Sequence, residues 1–214
     1  MIKAIFFDMN GIIIDDEHIH KLAFKETVNS FGIDLTHEDY LECCAGKTDK
    51  AGYESIGQKF KKNLPIKLLL KEKSQRYLDL FPANKKDYPG VIDLITRLSN
   101  DYRVALTSSS SRAEVELIIQ EFKIKKYFEV LITGDDVIKG KPDPEPYLKT
   151  ARQMNLLPQE CVVIEDSRSG VISAKTAGCK CIGVTTTHSS KDLAQADAIV
   201  KDFESITKEL INSL

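Results

Sequence analysis

No apolar run in this 214-residue sequence approaches the roughly 18 residues that would read as a membrane span. Net charge is nearly absent too. Thirty Lys and Arg stand against 32 Asp and Glu, giving −2, so no global field draws the chain to nucleic acid or anionic lipid. The cysteines, Cys43, Cys44, Cys161, Cys179 and Cys181, are odd in number and form no C-x-x-C pair. They argue against a disulfide framework or a zinc site and fit reduced thiols in the cytoplasm. Internal repeats and low-complexity linkers are missing. The opening Met1-Ile2-Lys3-Ala4-Ile5-Phe6-Phe7 is too short in apolar residues for a secretory signal and reaches an acid at Asp8, so it reads as a buried strand.

What is present is ordinary in bulk, 42% hydrophobic and 29% charged, and long enough to bury a real core. Its organisation is more informative. Short apolar runs rich in Val and Ile occur at Arg103 to Thr107, Val130 to Thr133, Cys161 to Glu165 and Cys181 to Thr185. Such runs suit strands buried on both faces. Helical patterns alternate with them at Ala113 to Phe122, Glu145 to Met154 and Gly170 to Ala177, with Gly178 as a C-cap. The expected fold class is therefore α/β, a parallel, Rossmann-like sheet flanked by helices, with the N-terminal strand in the same sheet.

Residues 15–83 break that rhythm. Asp16 to Phe31 reads as a helix stopped at Gly32, and Thr36-His37-Glu38-Asp39 as a capped start of the next. Asp49 to Lys62 and Ile66 to Phe81 supply two more helical patterns, and Tyr88-Pro89-Gly90 marks the return. The expected organisation is a core of residues 1–14 and 84–214 with an all-helical insertion over 15–83.

Ligands of open parallel sheets bind outside the carboxyl ends of the strands. Those ends carry Asp8-Met9-Asn10-Gly11, Thr107-Ser108-Ser109-Ser110 and Glu165-Asp166-Ser167, and the third strand leads into Gly140-Lys141-Pro142-Asp143. Each has a plain structural reading. Asn-Gly between apolar residues is a hairpin signal, the serines suit an N-cap, Lys141 suits solvent, and Asp166 suits the start of a helix. Together they supply a nucleophile, carboxylates for a metal, and donors for phosphate oxygens, the set that phosphoryl transfer needs.

In this order the segments resemble the motifs of the haloacid dehalogenase superfamily, in the β-phosphoglucomutase-like branch whose helical cap follows the first strand. D-x-D-G appears as Asp8 to Gly11, the strand-end Ser or Thr as Ser108, the lysine of G-K-P as Lys141, and the acidic pair as Glu165-Asp166. The resemblance covers nearly the whole chain. It implies that Asp8 forms an aspartyl phosphate while Lys141 and Ser108 bond the transferring oxygens. Backbone N–H groups of Met9 to Gly11 and of Ser109 would complete the cradle, with Ser110 beside it. Mg2+ would be held by Asp8, the Asn10 carbonyl and Asp166, with Glu165 in support. The partner implied is a small phosphorylated metabolite, with no nucleic acid or membrane, and the chain is expected to be a monomer.

One residue departs from the pattern. Asn10 stands where the family has a second aspartate that protonates the leaving group and then activates water or a sugar hydroxyl. An amide does neither. The loss of general acid–base help is typically worth about 10²–10⁴-fold. Asn10 fits either a branch with altered chemistry or an Asp→Asn exchange of the kind used to trap a substrate. Asp15, Asp16 and His20 are the nearest candidates in sequence to replace it.

In the insertion, His20 lines up with Phe24 and Phe31, and Lys73 with Ile66, Leu69, Leu70 and Tyr77, each a polar residue on an apolar stripe. A hydrogen-bonded histidine and a snorkelling lysine would suffice by themselves. The resemblance makes both candidates for contact with a sugar-phosphate-sized substrate. Ala45-Gly46-Lys47-Thr48 lacks the glycine and strand of a P-loop, since Leu41 stands where that glycine belongs, so Gly46 to Asp49 reads as a helix–helix turn with Lys47 a candidate phosphate contact. The leading function is a phosphatase of small phosphorylated metabolites. The alternatives are a phosphosugar mutase, which needs the acid–base group twice, and a binding or regulatory protein that keeps the phosphate site without turnover.

Overall fold

The computed structural model describes residues 1–44 and 48–214, so the Lys47 candidate lies outside the described residues. The chain divides into two compact units, Met1–Asp15 with Lys86–Leu214, and Asp16–Lys85.

The first unit is built on a six-stranded parallel sheet. Its strands are β1 (Ala4–Phe7), β2 (Arg103–Thr107), β3 (Val130–Ile132), β4 (Cys161–Glu165), β5 (Lys180–Val184) and β6 (Ala198–Val200), in the order β3-β2-β1-β4-β5-β6. Every residue of β1 and β4 is buried, as their unbroken apolar runs require of strands covered on both faces. The strands end where expected to within a residue. The short, half-exposed β6 was not foreseen, because an edge strand carries no buried run. Helices α5 (Val91–Leu98), α6 (Arg112–Glu121), α7 (Glu145–Gln153), α8 (Arg168–Ala177) and α9 (Lys208–Ser213) connect or follow the strands, and Gly178 closes α8 in the left-handed conformation at φ 86°. Sidedness matters most here. The chain winds from β1 outward to β3, then returns to pair β4 on the other side of β1, which places the topological switch point between β1 and β4. Phe7 pairs with Ile164, so the residues just beyond them, Asp8 and Glu165, emerge side by side.

The second unit holds α1 (Glu17–Asn29), α2 (His37–Cys43), α3 (Asp49–Lys59) and α4 (Ile66–Asn84). Its core gathers Phe24, Val28, Tyr40, Tyr53, Ile56 and Leu69. Thr36 and Asp39 form a reciprocal capping box at the start of α2: the Thr36 hydroxyl accepts from Asp39 N at 3.1 Å and Asp39 accepts from Thr36 N at 3.0 Å. Helix α4 runs three residues beyond the expected Phe81, through Pro82. The Asn84 side chain donates to the Leu80 carbonyl at 2.8 Å, tying down this last turn. No helix among the described residues is long and apolar enough to cross a membrane.

Candidate active site

Lys141 lies at the centre of the rim. Its ammonium donates to Asp8 Oδ1 at 2.6 Å, to Glu165 Oε1 at 2.7 Å and to the Thr107 carbonyl at 3.2 Å. One cation therefore ties together the ends of β1, β2 and β4. The side chain is only 5% exposed, and its ammonium sits 5.1 Å over the Tyr147 ring. Tyr147 was not singled out from the sequence. It lies on α7, fully buried, and its hydroxyl donates to Glu165 Oε1 at 2.9 Å. Its only sequence signal was a place on the buried face of a helix, which an ordinary core residue shares.

Glu165 is saturated with donors. Besides Lys141 and Tyr147 on Oε1, its Oε2 accepts from Asp166 N, Ser167 N and Ser167 Oγ at 2.9–3.0 Å. The carboxylate packs against the first turn of α8, where a Cβ on Gly170 would lie 1.6 Å from Oε1, so only glycine fits there. Burial pushes the Glu165 pKa upward, but Lys141 and the Ser167 donors outweigh it and hold the group below its ordinary range. Asp8 behaves oppositely. Burial carries it up to about 7, Lys141 pulling down and Glu165 adding to the rise. Burial, then the charges of Glu165 and Asp8, push Asp166 well above the usual carboxylate range. Lys141 is raised against its own burial by Asp8 and Glu165, and so stays protonated.

One atom from each of Asp8, Glu165 and Asp166 lies within 4.8 Å of the others. Among the described residues one lysine bonds two of these three carboxylates, and burial and like charge drive Asp8 and Asp166 toward their protonated forms. That is the signature of a site short of positive charge, and its all-oxygen donor set suits a hard divalent cation such as Mg2+.

The loop after β1 is shaped by Gly11, at φ 77°, where a Cβ would lie 2.0 Å from Asp166 Oδ2. The Gly11 N–H, expected in the phosphate cradle, bonds the Ile14 carbonyl at 2.9 Å, so Gly11 serves the loop by its shape rather than as a donor. The Met9 side chain is buried and its carbonyl accepts from Ile12, Ile13 and Ile14, which leaves its backbone as its means of contributing. Asn10 Oδ1 accepts from Ser110 Oγ at 2.9 Å. Ser108 is buried and its hydroxyl accepts from Ser110 N at 3.1 Å, while Ser109 is exposed at the same turn. A turn that the sequence reading passed over, Thr186-Thr187-His188, also reaches the rim: Thr186 Oγ1 donates to the Gly11 carbonyl at 2.5 Å and Thr187 Oγ1 donates to Asp166 Oδ2.

His20 and Lys73 meet within the helical unit. Lys73 is 1% exposed and bonds His20 Nδ1 at 2.7 Å and Asp49 at 2.8 Å. His20 Nε2 lies 3.3 Å from Asp16, which accepts from Tyr77 at 2.5 Å. Asp15 pairs with Lys86 at 2.6 Å. The three candidates to replace the missing aspartate are thus each engaged by other side chains.

A lysine-bridged carboxylate cluster thus lies at the switch point of a parallel α/β sheet, the place where such folds bind their ligands. A family model described as haloacid dehalogenase-like hydrolase matches residues 5–184. The chain belongs to this family, in its β-phosphoglucomutase-like branch. It is 32% identical over 225 residues to the protein CbbY of Rhodobacter capsulatus, covering 100% of this chain and 99% of that one. It is 31% identical to a phosphorylated carbohydrates phosphatase of Thermotoga maritima, covering 92% of each. Among solved structures, an Asp→Asn mutant of CbbY from Rhodobacter sphaeroides in complex with xylulose 1,5-bisphosphate superposes with a TM-score of 0.80. It is 30% identical, with 95% of each chain covered.

Proposed function

We propose that this chain is a Mg2+-dependent phosphohydrolase of small phosphorylated metabolites, sugar phosphates foremost, acting through an aspartyl phosphate on Asp8. The observation that carries this reading is the convergence of Asp8, Lys141, Glu165 and Asp166 on one buried rim with too little positive charge. The phosphorylated-carbohydrate phosphatase and the bisphosphate-bound CbbY among the relatives support the substrate class.

In the first half-reaction an Asp8 oxygen bonds to phosphorus as the ester P–O bond breaks, and the leaving oxygen takes its proton from water, since the Asn10 amide is no acid. In the second, water attacks the same phosphorus, releasing phosphate and restoring the carboxylate. Lys141 has three N–H donors and three acceptors, the longest contact being the Thr107 carbonyl, and that donor is the one best placed to turn to a transferring oxygen. Ser108, fixed at the end of β2, offers its hydroxyl to the same group. Asp8, the Asn10 carbonyl and Asp166 would hold Mg2+, with Glu165 orienting Lys141 behind them; the ion would supply charge neutralisation for the phosphoryl oxygens. His20 and Lys73, which the resemblance implies for the sugar, bond each other within the helical unit. The five buried thiols fit a reducing compartment such as the cytoplasm.

Asn10 favours one second reading, a protein that binds phosphorylated ligand and turns it over slowly or not at all. A mutase, which uses the acid–base group in both directions, suffers twice. Phosphate release with and without Mg2+, from sugar phosphates, nucleotides and p-nitrophenyl phosphate, tests the proposal. Mg2+-dependent release from a sugar phosphate is expected. Ligand binding with no release from any ester would select the binder, and interconversion of sugar phosphates dependent on a bisphosphate would select the mutase.

A further inference from the structure

The turn after β5 touches both halves of the rim. Thr186 Oγ1 bonds the Gly11 carbonyl at 2.5 Å, on the loop that carries the nucleophile. One residue later, Thr187 Oγ1 bonds Asp166 Oδ2 and also lies 2.8 Å from His188 Nδ1. A threonine hydroxyl has one proton. As a metal ligand Asp166 is a carboxylate and can only accept, so Thr187 donates to it, and His188 Nδ1–H must donate to Thr187. The three groups form a directed chain, His188 to Thr187 to Asp166, in which each bond polarises the next. Gly11 closes the other side, since its Cα lies so near Asp166 that no side chain fits between them.

We infer that Thr187, oriented by His188, is a positioning residue that fixes the rotamer of Asp166 for the divalent cation. The inference rests on the proposed metal site. Asp166 is the carboxylate of the cluster with least support of its own. Glu165 has five donors and Asp8 has Lys141, whereas among the described residues the side-chain hydrogen bond to Asp166 comes from Thr187. A ligand carboxylate held by a single outer partner should lose metal when that partner goes. Outer-shell losses of this kind typically cost about 10–100-fold in metal affinity.

The test is Mg2+ binding to the metal-free full-length chain, measured by titration calorimetry, beside thermal unfolding in a chelator. Thr187→Val keeps the shape and removes the hydroxyl. It should raise the Mg2+ dissociation constant by about 10–100-fold and leave unfolding of the metal-free protein within a degree or two. Thr187→Ser should restore binding to within a few-fold. His188→Ala should weaken it less than Thr187→Val, because Thr187 keeps its own bond to Asp166. Mg2+ binding by Thr187→Val as tight as by the parent would overturn the inference while leaving the metal site standing. So would equal loss in the Val and Ser variants. No Mg2+ binding by the parent would overturn the metal site and the positioning role together.

Discussion

Replacing Asn10 by Asp should raise phosphate-ester turnover about 10²–10⁴-fold, the usual worth of general acid–base catalysis. In activation free energy that is about 3–5 kcal/mol. The structure indicates why the exchange should be accepted. Asn10 Oδ1 already takes a bond from Ser110 Oγ at 2.9 Å, and a carboxylate oxygen can take the same bond in the same rotamer. The other oxygen then replaces the amide nitrogen. The cluster already holds three carboxylates against one lysine, so a fourth will be reluctant to ionise and its pKa will rise toward the working pH, where an acid–base group is most effective. The assay is steady-state phosphate release by both forms on a sugar phosphate and on p-nitrophenyl phosphate. The gain should be larger on the sugar phosphate, because nitrophenolate departs without a proton and an alkoxide does not. Equal rates on the sugar phosphate would refute the reasoning and show that another group already moves the proton. Asp15, Asp16 and His20 would then be reopened, although each is engaged elsewhere.

Metal-free protein should lose stability as pH rises from about 4 to 7. The Asp8 pKa is about 7 when folded against an unfolded 3.8, and Asp166 is raised as well, so the folded state binds more protons and ionisation in that window favours unfolding. Melts in a chelator at pH 5.5 and 7.5 should show the higher midpoint at the lower pH, with Mg2+ shrinking the gap; a reversed order would contradict the assignment. Lys141→Met removes the one cation that, among the described residues, bonds Asp8 and Glu165, which should abolish turnover and destabilise the chain by about 3–5 kcal/mol in denaturant titrations, the cost of breaking a buried ion pair. Unchanged stability would mean that water reaches the cluster. Gly11→Ala forces a Cβ toward Asp166 at a positive φ, so Mg2+-dependent activity should fall sharply, and wild-type activity would show that the loop yields. The five buried thiols should resist iodoacetamide in the native state, burial holding Cys161 and Cys179 at about 12, and all should react in guanidinium; a fast native equivalent by mass spectrometry would place one at the surface.

The sequence by itself determined the fold class and the strand ends, because both are written locally. A strand buried on two faces reads as a near-continuous apolar run, and β1, β2 and β4 are such runs; the Thr36 cap of α2 is equally local, whereas α8 is capped by Ser167 and not by the expected Asp166. It also marked Asp8, Lys141, Glu165 and Asp166, since strand ends of a parallel sheet face one rim. The edge strand β6 and helices α5 and α9 went unseen, β6 for want of a buried run.

Only the tertiary structure decided who bonds whom. That Lys141 bridges two carboxylates, that Tyr147 joins the donors of Glu165, and that Thr187 is the side chain bonding Asp166 among the described residues depend on contacts between residues 18 to 133 positions apart. Electrostatics followed the same division. Type and spacing name a carboxylate, but burial and neighbours send Glu165 down and Asp8 and Asp166 up. A pKa is a property of a surrounding, and the surrounding exists only once the sheet has brought β1, β4 and the turn after β5 together.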